Sequence, residues 1–587
     1  MVSRPAVIVV ARSSLPLART IANHLDGDVM EGADALVSAF LAHRPVVALC
    51  AAGIVIRKLA SHLGRKAEDP PVIAVAENGS VAVPLLGGHH GANALARIIA
   101  GLLGGTAAIT TASDARFGIA LDEPPPGWSL ANPEHHKSFA MALLDGASVR
   151  LIGHAPWLAT LPHDPRGFLS IRITEEIAAG SDDELVFVPR TLAVGVGCER
   201  GTAPEELIRL VTETLAARNL SLAAVAGVFS LDLKADEVAV TALGRALDAP
   251  VRFFSTEELS AESARLMNPS EVVMREIGIA GVAEAAALAA AGPEASLVIA
   301  KTRSARATLA VGRAETPLIE LPGRARGRLS VVGLGPGAPT LRSPAAVAAL
   351  VQAADWIGYG PYLDLAADLA GGQAQHRYPI GAEADRVHHA IRLASEGRDV
   401  CLLCSGDSAI YGMASLAAEM LDPASSIAVE PAWRRIELEV VPGISAFQAA
   451  SAAAGALIGH DFCSISLSDL MTPWSEIESR IRAAAAGDFV TALYNPRSLR
   501  RRDQLDRAIA ILREHRTAAT PVLTAANLGR GGERVSIAPL SEFDSESIDM
   551  LTIVIVGSRQ SRIYQRGDGR IIAYTPRGYA TSREERT

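Results

Sequence analysis

The chain has 587 residues, of which 49% are hydrophobic, 20% are charged and only 4% are aromatic. This length predicts several domains with sizeable cores, and the scarcity of aromatic residues favours packed α/β layers over aromatic-rich β-sandwiches. The net charge of -9 argues against a general nucleic-acid-binding protein, which needs a basic surface. It leaves room for a local basic pocket that holds an acidic small molecule.

The first half of the chain alternates apolar runs with Ala/Leu-rich amphipathic segments. The run Pro5–Val10 is too short for a secretory signal and predicts the first strand, and VVALCAA (Val46–Ala52) and PVIAVAENG (Pro71–Gly79) predict two more. Strands that alternate with helices in this way are typical of a parallel sheet with helices on its faces. No uncharged apolar run reaches the length of a membrane span, so we expect a cytoplasmic protein without a membrane partner.

Pro- and Gly-rich stretches divide the chain into domains. DEPPPGW (Asp122–Trp128) ends the first α/β unit, and LAVGVGCERGTAPEELIRLV (Leu192–Val211) opens another strand, loop and helix. The cluster Pro317–Arg328 indicates a linker between two fused proteins. We therefore predict a multidomain α/β chain with N-terminal units at 1–118, 119–190 and 191–315, a linker at 316–327, and two subdomains at 328–442 and 443–580.

The five cysteines are an odd and low number for this length, which fits a reducing cytosol better than a disulfide scaffold. Cys401 and Cys404 form a C-x-x-C pattern, but no second Cys/His pair has the spacing of a zinc site. We therefore predict that both cysteines lie on a buried strand and that the protein has no metal site.

A glycine motif opens the second half. In SVVGLGPGAP (Ser330–Pro339) the glycines fit a dinucleotide-binding loop, and Asp355 follows at the usual distance. The prolines inside the motif delay the first helix start to Ser343, so the loop is too long for that class. We expect AAVAALVQAADWI (Ala345–Ile357) to continue the helix, with Asp355 at its end. A sulfonium cofactor such as S-adenosylmethionine needs close backbone contact rather than a phosphate cradle, and this favours it over NAD.

Three further stretches have the form of a strand followed by a loop. VCLLCSGDSAIYGMA (Val400–Ala414) ends its strand in Ser-Gly-Asp, VVPGISAFQAAS (Val440–Ser451) has a Pro-Gly turn, and DFVTALYNPRSLRRRDQLDRAI (Asp488–Ile509) has an Asn-Pro turn. Loops after the carboxyl ends of parallel strands are where ligands bind. Asp407 is therefore either a loop cap or a cofactor contact.

Together these motifs resemble the tetrapyrrole (corrin/porphyrin) methyltransferase family over residues 328–580, in order along the chain. GHDFCSISLSDLMTPWSEIESRI (Gly459–Ile481) and YTPRGY (Tyr574–Tyr579) resemble its precorrin-3B C-17-methyltransferase subgroup. The resemblance implies two α/β subdomains that enclose S-adenosylmethionine, methylation of the tetrapyrrole at C-17, and extrusion of the C-20 meso carbon from the ring. A homodimer is expected by the same resemblance.

The resemblance also implies site residues. The predicted cofactor contacts are Gly333, Gly335, Pro336, Gly337, Ser405, Gly406, Asp407, Pro442, Gly443, Ser445, Ala446, Tyr494 and Asn527. Asp407 and Tyr411 are also candidate catalytic residues, and His460 and Asp469 are candidate acid/base groups for ring contraction. Arg497, Arg500 and Arg501 are candidates to bind carboxylates of the substrate, although a solvated helix start explains them equally well.

The first half resembles the CbiG family of cobalamin-biosynthesis proteins. The resemblance rests on the stretch Gly53–Ala96, on AITTASD (Ala108–Asp114), and on VGVGCERGT (Val194–Thr202). It implies that this half opens the ring-A lactone of cobalt-precorrin-5A, with His89 as a candidate catalytic residue. The alternative is a module that holds a tetrapyrrole without catalysis. Lys234, Asp236 and Glu237 belong either to a site or to an ordinary capped helix start.

These features predict a fused enzyme of cobalamin biosynthesis that acts on precorrin-3B or its cobalt form. A different regiospecific precorrin methyltransferase remains the alternative for the second half. The sequence does not decide whether cobalt is already in the substrate.

Overall fold

The computed structural model describes residues 4–64, 69–88, 91–110, 116–498 and 502–579. These residues form two units, and the main boundary falls between Gly327 and Arg328. Unit one comprises the chain up to Gly327 with 395–398 and 431–437, and unit two comprises the remainder. Within the described part of the chain, no helix is long and apolar enough to cross a membrane.

Unit one begins with a six-stranded sheet in the order β2-β1-β3-β4-β5-β6, in which only the β4–β5 pair is antiparallel. Its central strands are buried along their whole length because helices cover both faces, which confirms the predicted βα pattern. The strands are β1 (Ala6–Val9), β2 (Asp28–Glu31), β3 (Val46–Leu49), β4 (Val72–Val75), β5 (Val81–Leu86) and β6 (Thr106–Ala107).

The described helices of this first region are α1 (Leu15–Leu25), α2 (Ala33–Leu41), α3 (Ala52–Leu59) and α4 (Ala92–Leu103). A second sheet follows in the order β7-β10-β9-β8, and a core that includes Phe139 and Phe187 packs on it. Its elements are β7 (Trp128–Leu130), α5 (His136–Leu144), β8 (Val149–Ile152), β9 (Leu169–Ile173) and β10 (Glu184–Pro189).

The third sheet of unit one has the order β13-β12-β11-β15-β14. Strands β11, β12 and β13 are parallel, and β15 runs antiparallel to both of its neighbours. Its strands are β11 (Leu192–Cys198), β12 (Val225–Leu231), β13 (Val251–Phe254), β14 (Ser296–Arg303) and β15 (Ala307–Arg313). Its helices are α6 (Pro204–Ala217), α7 (Val238–Ala246), α8 (Thr256–Ser260), α9 (Glu271–Ile277) and α10 (Ala283–Ala291).

The stretch predicted as a linker is hydrogen-bonded to unit one. The N–H of Leu318 donates to the carbonyl of Arg190 at 2.9 Å, and Phe253 and Arg324 exchange two backbone hydrogen bonds. Residues 318–324 are therefore held by backbone hydrogen bonds to unit one.

Helix α10 is buried on almost every side and carries a buried carboxylate. Glu284 is only 2% exposed, and it accepts hydrogen bonds at 2.9 Å from the backbone N–H groups of Met267, Asn268 and Lys301 and from the Asn268 side chain. Burial opposes the charge, but these four donors together hold the pKa of Glu284 below its usual value.

Glu284→Gln is expected to lower the free energy of unfolding of unit one by about 2–4 kcal/mol at neutral pH, because a Gln side chain offers one acceptor oxygen instead of two. A carboxylate whose pKa is depressed in the folded state stabilises it above the unfolded pKa, and this contribution is lost as the pH falls through the folded pKa. The difference between the variant and the wild type should therefore shrink below the ordinary Glu value of 4.5. Urea unfolding at pH 7 and pH 4 measures this difference in the free energy of unfolding. Glu276→Gln, at an exposed position, is the control. The same difference between Glu284→Gln and wild type at both pH values would contradict the argument.

Unit two contains a five-stranded sheet in the order β18-β17-β19-β16-β20, a three-stranded sheet β21-β28-β27, and a five-stranded mixed sheet β22-β23-β26-β24-β25. The first sheet consists of β16 (Arg328–Gly333), β17 (Asp355–Tyr359), β18 (Ala374–Tyr378), β19 (Asp399–Cys404) and β20 (Glu437–Val441). The others consist of β21 (Gly455–Ala456), β22 (Phe462–Ser466), β23 (Val490–Tyr494), β24 (Pro521–Ala526), β25 (Arg534–Pro539), β26 (Thr552–Val556), β27 (Arg562–Gln565) and β28 (Ile571–Tyr574).

The helices of the second half are α11 (Pro344–Gln352), α12 (Gly360–Asp364), α13 (Glu383–Ser395), α14 (Ala414–Leu421), α15 (Ala446–Ala454), α16 (Trp474–Ala486) and α17 (Asp503–Arg513). The predicted start of α11 is confirmed, because the Ser343 side chain accepts a hydrogen bond from the N–H of Ala346 and Pro344 is the first helical residue. The predicted end is wrong: the helix stops at Gln352, and Asp355 opens strand β17. Pairing with β18 and β19 on both sides draws the apolar DWIGY run into the sheet.

Cys401 and Cys404 both lie on the buried strand β19, as predicted. Burial raises the pKa of the Cys404 thiol to about 11 and shifts that of Cys401 further upward. All five cysteines are free. Among the described residues no group of His, Cys, Asp and Glu side chains has the arrangement of a metal site.

Candidate functional site

Three loops meet at one edge of the first sheet of unit two. They follow the neighbouring strands β19, β16 and β20, and they carry the motifs Ser-Gly-Asp, Gly-Leu-Gly-Pro-Gly and Pro-Gly-Ile-Ser. The backbones of Gly335 and Gly406 exchange two hydrogen bonds of 3.0 and 2.7 Å, and the N–H of Leu334 donates to the carbonyl of Cys404 at 2.9 Å. The Ser-Gly-Asp loop after β19 and the Gly-Leu-Gly-Pro-Gly loop after β16 are therefore joined directly by their backbones.

Glycine is required where these loops touch. A Cβ on Gly443 would lie 2.2 Å from the Gly406 carbonyl oxygen and 2.8 Å from the Gly333 carbonyl carbon, and a Cβ on Gly333 would lie 2.7 Å from the Gly443 nitrogen. Gly406 also has a positive φ of 67°, which a residue with a side chain rarely adopts. The loops can approach this closely because Gly333 and Gly443 lack a side chain, whereas glycine at 406 is favoured by its backbone conformation, since a Cβ there would meet no atom closer than 3.8 Å.

Asp407 ties two of the loops together. Its Oδ1 accepts hydrogen bonds from the N–H groups of Ala409 and Ile410 at 2.8 and 3.2 Å, and its Oδ2 accepts from the N–H of Gly443 at 3.0 Å. Both carboxylate oxygens are thus engaged by backbone donors. These contacts make Asp407 a loop cap and a brace between two loops, and a cofactor contact, the other role that the sequence left open, stays a prediction.

Tyrosine and serine side chains lie beside the third loop. Ser445 caps α15, and its N–H and hydroxyl both donate to Oε1 of Gln448. The hydroxyl of Tyr494 accepts from the N–H of Phe447 at 3.3 Å, and burial raises the pKa of Tyr494. The Tyr411 ring lies 5.0 Å from that of Tyr494, and its hydroxyl donates to the Ser464 carbonyl at 3.0 Å. Tyr411 is half-exposed and is therefore accessible to a ligand.

The structure adds a residue that the sequence reasoning missed. Arg530 lies in the turn after β24, close to the predicted contact Asn527, and it donates from Nε to the Pro336 carbonyl at 2.7 Å. Its Nη2 donates to the Ser405 hydroxyl at 2.5 Å. The Gly-rich stretch NLGRGGE (Asn527–Glu533), which follows an apolar strand, is the sequence signal that could have indicated this turn.

Other predicted residues have partners of their own. Arg497 donates to the Ser545 carbonyl at 2.5 Å and forms an ion pair of 2.7 Å with Glu546, so its role in substrate binding stays a prediction. Asp469 accepts from Gln504 at 2.9 Å. The predicted site residues His89, Arg500 and Arg501 lie outside the described residues.

His460 lies on a polar cavity of about 330 Å³ in unit two. Its Nδ1 accepts from the N–H of Asp461 at 2.8 Å. The residues that line the cavity are Gly459, His460, Asp461 and Arg577.

In unit one, charged groups gather at the carboxyl ends of β11 and β12. Glu237 occupies the N-cap position of α7, but its side chain is buried and does not cap the helix. It pairs instead with Arg200 at 3.0 Å and accepts a hydrogen bond from the N–H of Gly201. Burial raises the pKa of the Cys198 thiol, and the positive charge of Lys234 opposes that shift. The arrangement leaves a thiol, a lysine and a buried carboxylate at one edge of the sheet.

Comparison with known proteins assigns both halves of the chain. The family models that match are Cobalamin synthesis G N-terminal at 34–114, Cobalamin synthesis G C-terminus at 192–312, and Tetrapyrrole (Corrin/Porphyrin) Methylases at 328–544. The chain is 40% identical over 254 residues to the "Precorrin-3B C(17)-methyltransferase" of Sinorhizobium sp, an alignment that covers 43% of this chain and 98% of that relative. The chain belongs to the tetrapyrrole methylase family.

A second relative of this tetrapyrrole methylase comes from Salmonella typhimurium. It is named "Probable cobalt-factor III C(17)-methyltransferase" and is 40% identical over 251 residues, which are 43% of this chain and 99% of the relative. The solved structure titled "Crystal structure of the methyltransferase CobJ" is 40% identical, with a TM-score of 0.39, over 43% of this chain and all of that one. Members of the family depend on S-adenosylmethionine, so the second half of the chain is a methyltransferase, joined to two cobalamin-synthesis modules.

Proposed function

We propose that the second half of the chain transfers the methyl group of S-adenosylmethionine to C-17 of precorrin-3B or of its cobalt form, with contraction of the ring. The observation that carries this proposal is the junction of three glycine loops in a chain that is 40% identical to two relatives named for C-17 methylation. The two relatives are named for a metal-free and a cobalt-containing substrate, so both forms belong in the test.

The loops fit the cofactor that the family uses. Gly333 and Gly443 let the loops pack backbone to backbone, so backbone N–H and carbonyl groups rather than side chains are available to a ligand beside this junction. The tyrosines Tyr411 and Tyr494 add an aromatic wall beside them. The residues proposed to hold the cofactor are Gly333, Gly335, Pro336, Gly337, Ser405, Gly406, Asp407, Pro442, Gly443, Ser445, Ala446, Tyr494 and Asn527.

The protein's contribution to methyl transfer is orientation and exclusion of water. When bound beside these loops, S-adenosylmethionine would supply a methyl group activated by its sulfonium, and the neutral thioether would leave with the electron pair of the broken C–S bond. Because the electrophile is already activated, the site needs no strong base, and positioning supplies most of the rate. In this proposal Asp407 fixes the relative position of two loops, and Tyr411 stays a candidate for the proton transfers of ring contraction.

The test is an anaerobic incubation of the full chain with S-adenosylmethionine and precorrin-3B, in parallel with its cobalt-containing counterpart, followed by mass spectrometry. Gain of one methyl group with ring contraction supports the proposal, and the substrate that reacts identifies the metal-free or the cobalt route. Methylation of neither substrate, with methylation of a different precorrin, would instead support another regiospecific methyltransferase.

For unit one we propose that the CbiG-like domains, at 1–118, 119–190 and 191–315, open a tetrapyrrole lactone. The alternative is a module that holds the tetrapyrrole without chemistry. The group of Cys198, Lys234 and Glu237 supports a site in either case. If the lysine is catalytic, the wild type should open the lactone and Lys234→Ala should not; if the domain only holds the tetrapyrrole, wild type and variant should both bind the lactone and leave it unreacted.

Two properties of the whole protein complete the proposal. We expect a cytoplasmic homodimer, and the five free thiols are consistent with a reducing compartment. Analytical ultracentrifugation of the full chain measures the oligomeric state.

A further inference from the structure

The guanidinium of Arg530 is fixed against two of the loops of the candidate site. Its Nε and Nη2 atoms donate to the Pro336 carbonyl and the Ser405 hydroxyl at 2.7 and 2.5 Å. Its aliphatic part covers Gly337, where a Cβ would lie only 2.4 Å from Cγ of Arg530. The turn that carries it is equally close, since a Cβ on Gly529 would lie 2.7 Å from the Ala338 nitrogen.

Arg530 lacks the counter-ion that the most buried arginines of unit two have. It is half-buried, and burial lowers its pKa while Tyr362 opposes the shift. Within the part of the chain that the structure describes, no carboxylate is recorded at ion-pair distance from it. The well-buried arginines of the same unit do have one. Those pairs are Arg342–Asp368 at 3.0 Å, Arg386–Glu383 at 2.8 Å and Arg516–Asp488 at 2.9 Å.

A partly buried cation without a counter-ion is unfavourable, because desolvation is not repaid by a nearby negative charge. The hydrogen bonds also leave one edge of the guanidinium available. Pro336 and Ser405 use Nε and Nη2, whereas no described residue is recorded as an acceptor from Nη1. The Nη1–Nη2 edge is the fork that binds a carboxylate through two parallel hydrogen bonds.

We propose that Arg530 binds a carboxylate group of a ligand at the three loops. The inference rests on the proposed function, which offers two sources of this group: the aminocarboxylate end of S-adenosylmethionine and an acidic side chain of the tetrapyrrole. Arg530 is already held in place by Pro336, Ser405 and Gly337, so little side-chain freedom is lost when the carboxylate binds. Lysine would keep the charge but lose the fork.

The experiment compares wild type, Arg530→Gln and Arg530→Lys in the full chain by isothermal titration calorimetry. The ligands are S-adenosylmethionine, S-adenosylhomocysteine and decarboxylated S-adenosylmethionine. If the cofactor supplies the carboxylate, Arg530→Gln should weaken binding of the first two by about 10- to 100-fold and leave binding of the decarboxylated compound unchanged. The affinity of Arg530→Lys for S-adenosylmethionine and S-adenosylhomocysteine should lie between those of the wild type and Arg530→Gln. Arg534→Gln, on the exposed strand β25, is the matched control and should behave as wild type.

If the substrate supplies the carboxylate, the cofactor affinities should stay constant and the KM for the tetrapyrrole should rise by about 10- to 100-fold in Arg530→Gln. Equal weakening of all three cofactor compounds would show that Arg530 only supports the loops, and it would overturn the inference. So would unchanged affinities together with an unchanged KM. A wild-type chain that does not bind S-adenosylhomocysteine would instead overturn the proposed function itself.

Discussion

Gly443→Ala is expected to abolish measurable cofactor binding, with a loss of affinity of at least about 100-fold. The added methyl group would lie 2.2 Å from the Gly406 carbonyl oxygen and 2.8 Å from the carbonyl carbon and oxygen of Gly333. These neighbours are backbone atoms that cannot turn aside, so the third loop must move away from the other two. A displacement of about 1 Å in a positioned site can cost roughly 100-fold in rate, and we expect the cofactor affinity to fall by at least as much when its loops move apart.

Titration calorimetry with S-adenosylhomocysteine measures this effect, and the melting temperature shows whether the unit still folds. Gly567→Ala is the matched control, because a Cβ at that position meets no atom within 4 Å. Tight binding by folded Gly443→Ala would mean that the ligand does not depend on the junction of the three loops.

Asp407→Asn is expected to reduce kcat/KM for methyl transfer by about 10- to 100-fold. The carboxylate accepts three backbone hydrogen bonds, two at one oxygen and one at the other. An amide keeps only one of these oxygens, so an N–H₂ group must face a backbone N–H. If the oxygen stays with Ala409 and Ile410, the N–H of Gly443 loses its acceptor, and the loops that follow β19 and β20 separate.

Asp422→Asn provides the comparison for this variant. Asp422 accepts a similar local bond from the N–H of Ala424 at 2.9 Å, but it is exposed. Its substitution should leave kcat/KM within about twofold, because an exposed local bond is weak. Full activity of Asp407→Asn would contradict a brace at this position, and a loss restored by raised cofactor concentration would place the defect in binding.

Local signals were predictable from the sequence, and contacts between distant segments were not. The start of α11 at Ser343 and Pro344 is set by capping, which depends on adjacent residues alone. Asp355 was misplaced because an apolar run of five residues suits a helix end and a short strand equally, and only the neighbouring strands decide. The C-x-x-C pair was assigned correctly because its flanking residues are apolar throughout.

The same contrast between local signals and contacts of distant segments applies to the residues of the candidate site. Glycine loops after strands indicated where a ligand binds, since that pattern is local, and the family resemblance implied Gly333, Gly406 and Gly443 as contacts. Arg530 escaped notice because its partners Pro336 and Ser405 lie 194 and 125 positions away along the chain. The bonds of Arg497 to Ser545 and Glu546 were hidden for the same reason, as they span 48 and 49 positions.

The junction of the loops also bears on the order of folding. Asp407 and Gly443 are separated by 36 positions, and Arg530 closes a far larger loop, so the entropy of closing these segments must be overcome before any of their bonds forms. Each sheet of unit two can gain its strands before the junction exists. The cofactor would therefore bind only the completely folded unit and stabilise it by mass action, so that a rise in melting temperature with ligand would report the last step of assembly.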